Sequence, residues 1–276
     1  MFIRSIQAAF WTLAVAGLAG CVSAPSLQGV RPTPSQNQKY GLAKSGFVAT
    51  TNHMTQHLNA DQSVVYFQNQ GGGGVGLGLL LGPIGVAANM KMIEGVTTAD
   101  VEKLKGKIPL NPEMAFQRAA FVANFPVQAS ANESDVKIAP YVLVSKTNES
   151  TVHISSIVLF EGMDGQTKWL RRYQYQLPGK YTLDELAAFD AMKASAVQTA
   201  SVNAYTALLK HVAEETDASI VKEQKITFKS PYLSPRFEFE MSGSLIGANE
   251  GRVWVRTAFG VIAVDPSDIR YEITKN

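Results

Sequence analysis

A single cysteine in 276 residues leaves no possibility of an intrachain disulfide, a multi-thiolate metal site or a redox pair. Histidine is nearly as scarce, with His53, His57, His153 and His211 the only four. An excess of one charge is also missing. The formal balance is +2, which provides no electrostatic grip on nucleic acid. No Gly-x-Ser-x-Gly elbow occurs, and no Lys-Ser or Lys-Thr closes the glycine-rich run at 71–78. Carboxylates are scattered, with no pair set in apolar surroundings as a tuned acid and base. These absences point away from an enzyme, from a metal and from any cofactor. Hydrophobic content of 46% against 17% charged describes a chain that folds rather than one that stays disordered.

The lone cysteine is informative by its position. Residues 1–5 carry one positive charge, Arg4, and residues 6–16 are apolar except for Gln7 and Thr12. Leu18-Ala19-Gly20-Cys21 follows. This is the layout of a secretory signal, too short to span a bilayer comfortably. Ala19 and Gly20 are small enough for a peptidase to close on the backbone. The stretch resembles the lipobox of bacterial lipoproteins. That resemblance implies cleavage between Gly20 and Cys21 and acylation of Cys21, which then holds the chain to membrane lipid. Val22 and Ser23 follow where Asp would mark inner-membrane retention. The resemblance therefore implies the periplasmic face of a bacterial outer membrane. An uncleaved anchor helix or a buried free cysteine is the competing reading. Two or three acyl chains anchor firmly, since each buried CH2 contributes about 0.8 kcal/mol.

The chain divides into a signal peptide at 1–20, a lipidated terminus and tether at 21–38, an α+β domain at 39–222 and a small β unit at 223–276. The tether is rich in Ser, Pro, Gln and Asn and is stiffened by Pro25, Pro32 and Pro34. His53 and His57 lie four apart, on one face if 40–60 is helical, at a spacing zinc can use. No third ligand is evident, so a polar helix face is expected instead.

Val64-Val65-Tyr66-Phe67 has strand character and runs into four consecutive glycines and then Val75-Gly76-Leu77-Gly78. No charged residue occurs between Asp61 and Lys91. Three readings compete for 71–88. A phosphate-cradling loop lacks its lysine. Gly74, Gly78 and Gly82 repeat at the small-xxx-small spacing that lets helices approach closely. This resembles the glycine zippers of some outer-membrane lipoproteins and implies helix association or membrane insertion. Pro83 sits where a long helix would kink, which counts against a straight span, and a glycine-rich loop leading into a buried core helix is preferred.

Further helices are expected at 97–107, capped by Thr97, and from Asn111-Pro112, with Met114, Phe116, Ala119, Ala120 and Val122 facing the core. Strands at 137–146, 151–161 and 166–177 form an antiparallel meander with one face on solvent. Arg171, Arg172, Tyr173 and Tyr175 would make a ligand surface on it, although a solvated face is the preferred reading. A long helix over 182–215 opens with the capping box Thr182-Leu183-Asp184-Glu185. Leu186, Phe189, Met192, Ala196, Ala200, Ala204, Leu208 and Val212 form its core stripe, with His211 a terminal residue rather than a ligand. Short strands after 225, around Arg252-Val253-Trp254-Val255-Arg256-Thr257 and Val261-Ile262-Ala263-Val264, resemble SH3-like or Sm-like barrels, which are binding modules.

The expected fold is α+β: an antiparallel sheet packed by helices, with a small C-terminal β unit. The expected role is non-catalytic, as a binding or assembly factor with an envelope protein partner. The alternative is a membrane-active or oligomerising lipoprotein that uses 71–88. Replacing Cys21 by Ser is expected to abolish incorporation of labelled palmitate and to leave the leader attached, seen as a slower-migrating species on a gel. Labelling that survives the change would remove the lipoprotein assignment.

Overall fold

The structure is a computed structural model, which describes residues 26–32, 39–43, 52–69, 82–133, 135–235 and 239–274. Gly20, Cys21, Gly74 and Gly78 lie outside the described residues, and Gly82 is the first residue of a helix. Eleven strands form one sheet. In chain order they are β1 (Tyr40–Leu42), β2 (Thr55–His57), β3 (Val64–Gln68), β4 (Val136–Asn148), β5 (Thr151–Asp164) and β6 (Thr167–Gln176), then β7 (Gln224–Lys229), β8 (Met241–Asn249), β9 (Arg252–Thr257), β10 (Gly260–Val264) and β11 (Arg270–Ile273). Among the described residues five helices accompany them: α1 (Gly82–Leu104), α2 (Pro112–Val122), α3 (Leu183–Ala187), α4 (Ala191–Glu214) and α5 (Asp217–Val221).

The spatial order is β11-β7-β8-β9-β10-β6-β5-β4-β3-β2, with β1 beside β4. The fold is α+β as expected, but the sheet is mixed rather than antiparallel. β4-β5-β6 is the antiparallel meander read from the sequence. β1 and β3 both run parallel to β4, and β10 runs parallel to β6. Parallel neighbours need long crossovers, and the helical segments supply them. α1 and α2 lie between β3 and β4, and α3, α4 and α5 lie in the connection from β6 to β10.

One proline marks how the β4 edge is shared. β1 pairs with Val136 to Ile138 and β3 with Val142 to Lys146. Ile138 accepts a hydrogen bond from Ala43 along that edge, and Val142 donates one to Ser63. Pro140, between them and in phase with them, has no N–H to offer, and it falls in the gap where none is needed.

Local chemistry explains the helix boundaries. Asn111 caps α2 by accepting from the Met114 N–H at 2.9 Å, with Pro112 at the first position. Ala115, Phe116, Ala119 and Ala120 face the core, whereas Met114 and Val122 are exposed. α1 is longer than the helix expected at 97–107. Thr97 does not cap it but lies inside it, its hydroxyl bonded back to the Ile93 carbonyl at 2.8 Å. Pro83 stands in the first turn, where a missing N–H costs nothing, so it starts α1 instead of kinking it. The helix expected over 182–215 is two helices. Thr182 and Glu185 form the capping box of α3, and Asp190 starts α4 afresh by accepting from the Lys193 N–H at 2.7 Å. The expected stripe holds at Leu186, Ala204, Leu208 and Val212 but fails at Met192 and Ala196, which are exposed. The described residues of 40–60 contain no helix: His53 sits in a turn and His57 on β2.

The helices cover one face. Phe116, Tyr205 and Leu208 pack with Val158, Phe160 and Tyr173, and small residues on α2 and α4 let the two helices approach closely. The opposite face is not solvated as expected. On β9 and β10, Trp254, Val261 and Ala263 point to the helix side, while Val253, Val255, Ile262 and Val264 join Ile226, Phe228, Tyr232 and Ile269 in a second core. The strands after residue 222 enclose this core, and β10 hydrogen-bonds them to β6.

β10 begins hard against β6. Gly260 has φ +139°, and a Cβ there would lie 2.5 Å from the Arg172 carbonyl oxygen. Gly260→Ala is expected to destabilise the protein by about 1–3 kcal/mol from backbone strain alone, read as a lower urea midpoint. Gly247 on β8 has open space around its Cβ position, and Gly247→Ala is expected to leave the midpoint unchanged or raise it slightly.

Candidate ligand-binding cavity

The site is built on a buried charge. Arg256, on β9, is 1% exposed. Its Nε and Nη2 donate to both oxygens of Glu223, at 3.0 and 2.8 Å. Its Nη1 donates to Glu215 Oε1 at 2.7 Å and to the Gln28 carbonyl at 3.1 Å. Tyr173 on β6 donates to Glu215 Oε2 at 2.7 Å, and Ser244 on β8 donates to Glu223. The network therefore ties the end of α4 and the segment after α5 to three strands. Burial works against the charge on Arg256, but hydrogen bonds and attraction from the Glu223 and Glu215 carboxylates outweigh it, and its pKa stays above the ordinary value. Burial likewise opposes ionisation of Glu215. The His211 ring 3.6 Å away, the Tyr173 hydroxyl and Arg256 together outweigh that, holding the carboxyl below its usual 4.5.

The same network receives residues 26–32, part of the stretch read as a tether. These residues run along the domain. The Gln28 N–H donates to the Thr257 carbonyl at 2.9 Å. Its side-chain amide accepts from the Arg172 N–H at 2.8 Å and donates to the Arg172 carbonyl at 3.2 Å. Gln28 thus continues the ladder beside β6 where β10 has not yet begun. Arg171 donates to the Gly29 carbonyl at 2.8 Å. Arg31 donates to the Val212 carbonyl and the Tyr40 hydroxyl, and lies over the Phe160 ring.

On the other side of these same strands lies a cavity of about 540 Å³, within the range typical of small-molecule sites. Phe67 and Leu143 come from β3 and β4, Phe228 and Met241 from β7 and β8, and Phe259 and Ile262 from the β9–β10 hairpin and β10. Tyr232 stands at its floor, 2% exposed. Its hydroxyl is bonded to Ser155 on β5 and Gln174 on β6, and its carbonyl accepts from Asn69 at 3.0 Å. Ser230 fixes the loop that carries it, donating to the Asp268 carbonyl at 2.6 Å and accepting from the Leu233 N–H at 3.2 Å. Burial raises the Tyr232 pKa, so its hydroxyl stays neutral. Arg172 is the one basic residue among the described residues of the wall. Among the described residues its guanidinium makes no hydrogen bond and no ion pair, although its backbone is held by Gln28.

Alternation along β6 separates the residues considered together from the sequence. Arg171 and Tyr173 face the helices and the 26–32 segment, while Arg172 and Gln174 face the cavity. His211 packs between Tyr173 and Trp254, part of the charge network rather than a bare helix end. His153 is buried on β5 against Tyr232. His53 and His57 border one shallow hollow with Glu94 and Lys105. Among the described residues no three His, Cys, Asp or Glu side chains are grouped to hold a metal, and no helix is long and apolar enough to cross a membrane. Tyr232, Phe228 and Met241 carried no signal in the sequence, because the cavity joins strands more than 150 residues apart in the chain. The only local hint was the Ser230-Pro231 turn that presents Tyr232.

Comparison with family models, curated proteins and solved structures gives no match.

Arg256→Met leaves two carboxylates buried without their cation and is expected to cost about 3–5 kcal/mol, measured by denaturant unfolding. Glu215→Gln tests the sign of the pH dependence. The folded-state pKa of Glu215 is lowered, so its contribution is full above pH 4.5 and is lost as pH falls through the lower folded value. The variant is expected to be less stable than the parent at pH 7, with the gap narrowing below about pH 4.

Proposed function

We infer that this is a lipid-anchored protein of the bacterial outer envelope that acts by binding, not by catalysis, and that the cavity above Tyr232 is its binding site. The cavity carries this reading: an apolar wall, a neutral hydrogen-bonding floor and a guanidinium, Arg172, with no ion-pair partner among the described residues suit an apolar or amphiphilic ligand with an acidic end. The floor groups favour holding over bond-breaking. Tyr232, Ser155 and Gln174 satisfy one another's hydrogen-bonding groups. The anchor at Cys21 fits the same picture, with the domain serving a ligand or envelope partner without leaving the membrane.

The test is a titration with a fluorescent anionic apolar probe such as anilinonaphthalene sulfonate. One saturable site is expected. Ser242, exposed on β8 and at the cavity wall, allows the cavity to be filled without removing a core residue. Ser242→Trp is expected to abolish the site while leaving the unfolding midpoint near that of the parent. Undiminished probe binding in that variant would move the site elsewhere.

A further inference from the structure

We propose that the cavity takes up an acyl chain of an anionic lipid from the bilayer in which the protein is anchored, with Arg172 engaging the lipid's phosphate. This deepens the binding reading and rests on it and on acylation of Cys21. Three observations lead to it.

The first is where the anchored chain meets the fold. Gln28 is fixed to Thr257 and Arg172, and both of these residues line the cavity. Gln28 stands seven positions after Cys21. A fully extended chain advances 3.3–3.6 Å per residue, so Gln28 lies at most about 25 Å from the acylated residue. The anchor therefore keeps the junction of β6 and β10, whose other face carries the cavity, near the membrane surface.

The second is the rim itself. Phe259, at the tip of the β9–β10 hairpin, is 78% exposed and lines the cavity. Leu170 lies two residues before Arg172 on the same face of β6 and is half exposed. Single exposed apolar residues are ordinary, but Phe259 is also part of the cavity wall and lies two residues from Thr257, which holds Gln28. From there it can seat in the interface and let an acyl chain pass from bilayer to cavity without crossing water.

The third is charge. A guanidinium without a hydrogen-bond or ion-pair partner among the described residues, at the mouth of an apolar hollow, matches an amphiphile whose negative group stays at the interface while its chain goes in. Arginine offers phosphate a planar fork of donors.

The experiment uses the mature acylated protein reconstituted into phosphatidylcholine vesicles containing phosphatidylglycerol with a photoreactive acyl chain. After irradiation, labelled residues are mapped by mass spectrometry. Labelling is expected at Leu143, Phe228 or Met241 inside the cavity, and Ser242→Trp is expected to remove it. Arg172→Gln is expected to lower cavity labelling by phosphatidylglycerol about tenfold relative to a photoreactive phosphatidylcholine, the loss of one charge-assisted contact. Labelling confined to residues near Cys21 or to the tip of the hairpin would overturn the proposal. If the lipid fails to label the cavity but the soluble probe still binds there, the cavity is a binding site fed from elsewhere, and this proposal alone falls. If neither enters, both fall.

Discussion

Arg256 is the residue on which the arrangement depends. A guanidinium withdrawn from water is tolerable only when its donors are met, and here the network draws on five separate parts of the chain: residue 28, the end of α4, the segment after α5, and, through Tyr173 and Ser244, strands β6 and β8. None of these pieces can move without leaving an uncompensated charge. The network therefore works as a lock on register. It sets where β10 begins beside β6, and with that the spacing of Arg172, Thr257 and Phe259 around the cavity.

The two faces of the sheet have different tasks. The helix side supplies most of the apolar burial, with α2 and α4 pressed together over the middle strands. The other side is where an antiparallel meander would ordinarily meet solvent. It is covered instead because the chain returns to the sheet after α5, adds strands beyond β6, and presents Tyr232 on a loop pinned to Asp268. A hollow remains because the polar contacts of Tyr232 hold that loop in place and the surrounding side chains do not close the gap.

What was legible in the sequence was local. Asn111-Pro112 and the Thr182 box started helices where such residues start them, and the strand alternation around Arg171 and Arg172 was sound. Each failure came from information held elsewhere in the chain. Phe189-Asp190 reads as the interior of a long amphipathic helix until the carboxylate of Asp190 is seen turning back on the backbone. The parallel pairing of Val261 with Tyr173 has no periodicity of its own, so a mixed sheet and an antiparallel one look alike in the sequence. Gln28 looked like linker, because no property of an uncharged residue among prolines announces that its amide will complete a strand ladder. For the same reason the cavity was invisible, while Arg172, its one charged residue, was noticed and assigned to solvent.

The position of Gln28 bears on the order in which the molecule is made. A chain is made from its amino end, so residue 28 is available well before its partners Arg172, Arg256 and Thr257. Contacts so distant in the chain form late. The 26–32 segment is thus among the first parts to be made and among the last to set. Throughout that interval the exposed edge of β6 and the unpaired Arg256 need protection from wrong partners. A single event ends it: closure of β10 and Gln28 on β6, which completes the sheet and seats the 26–32 segment at the same time.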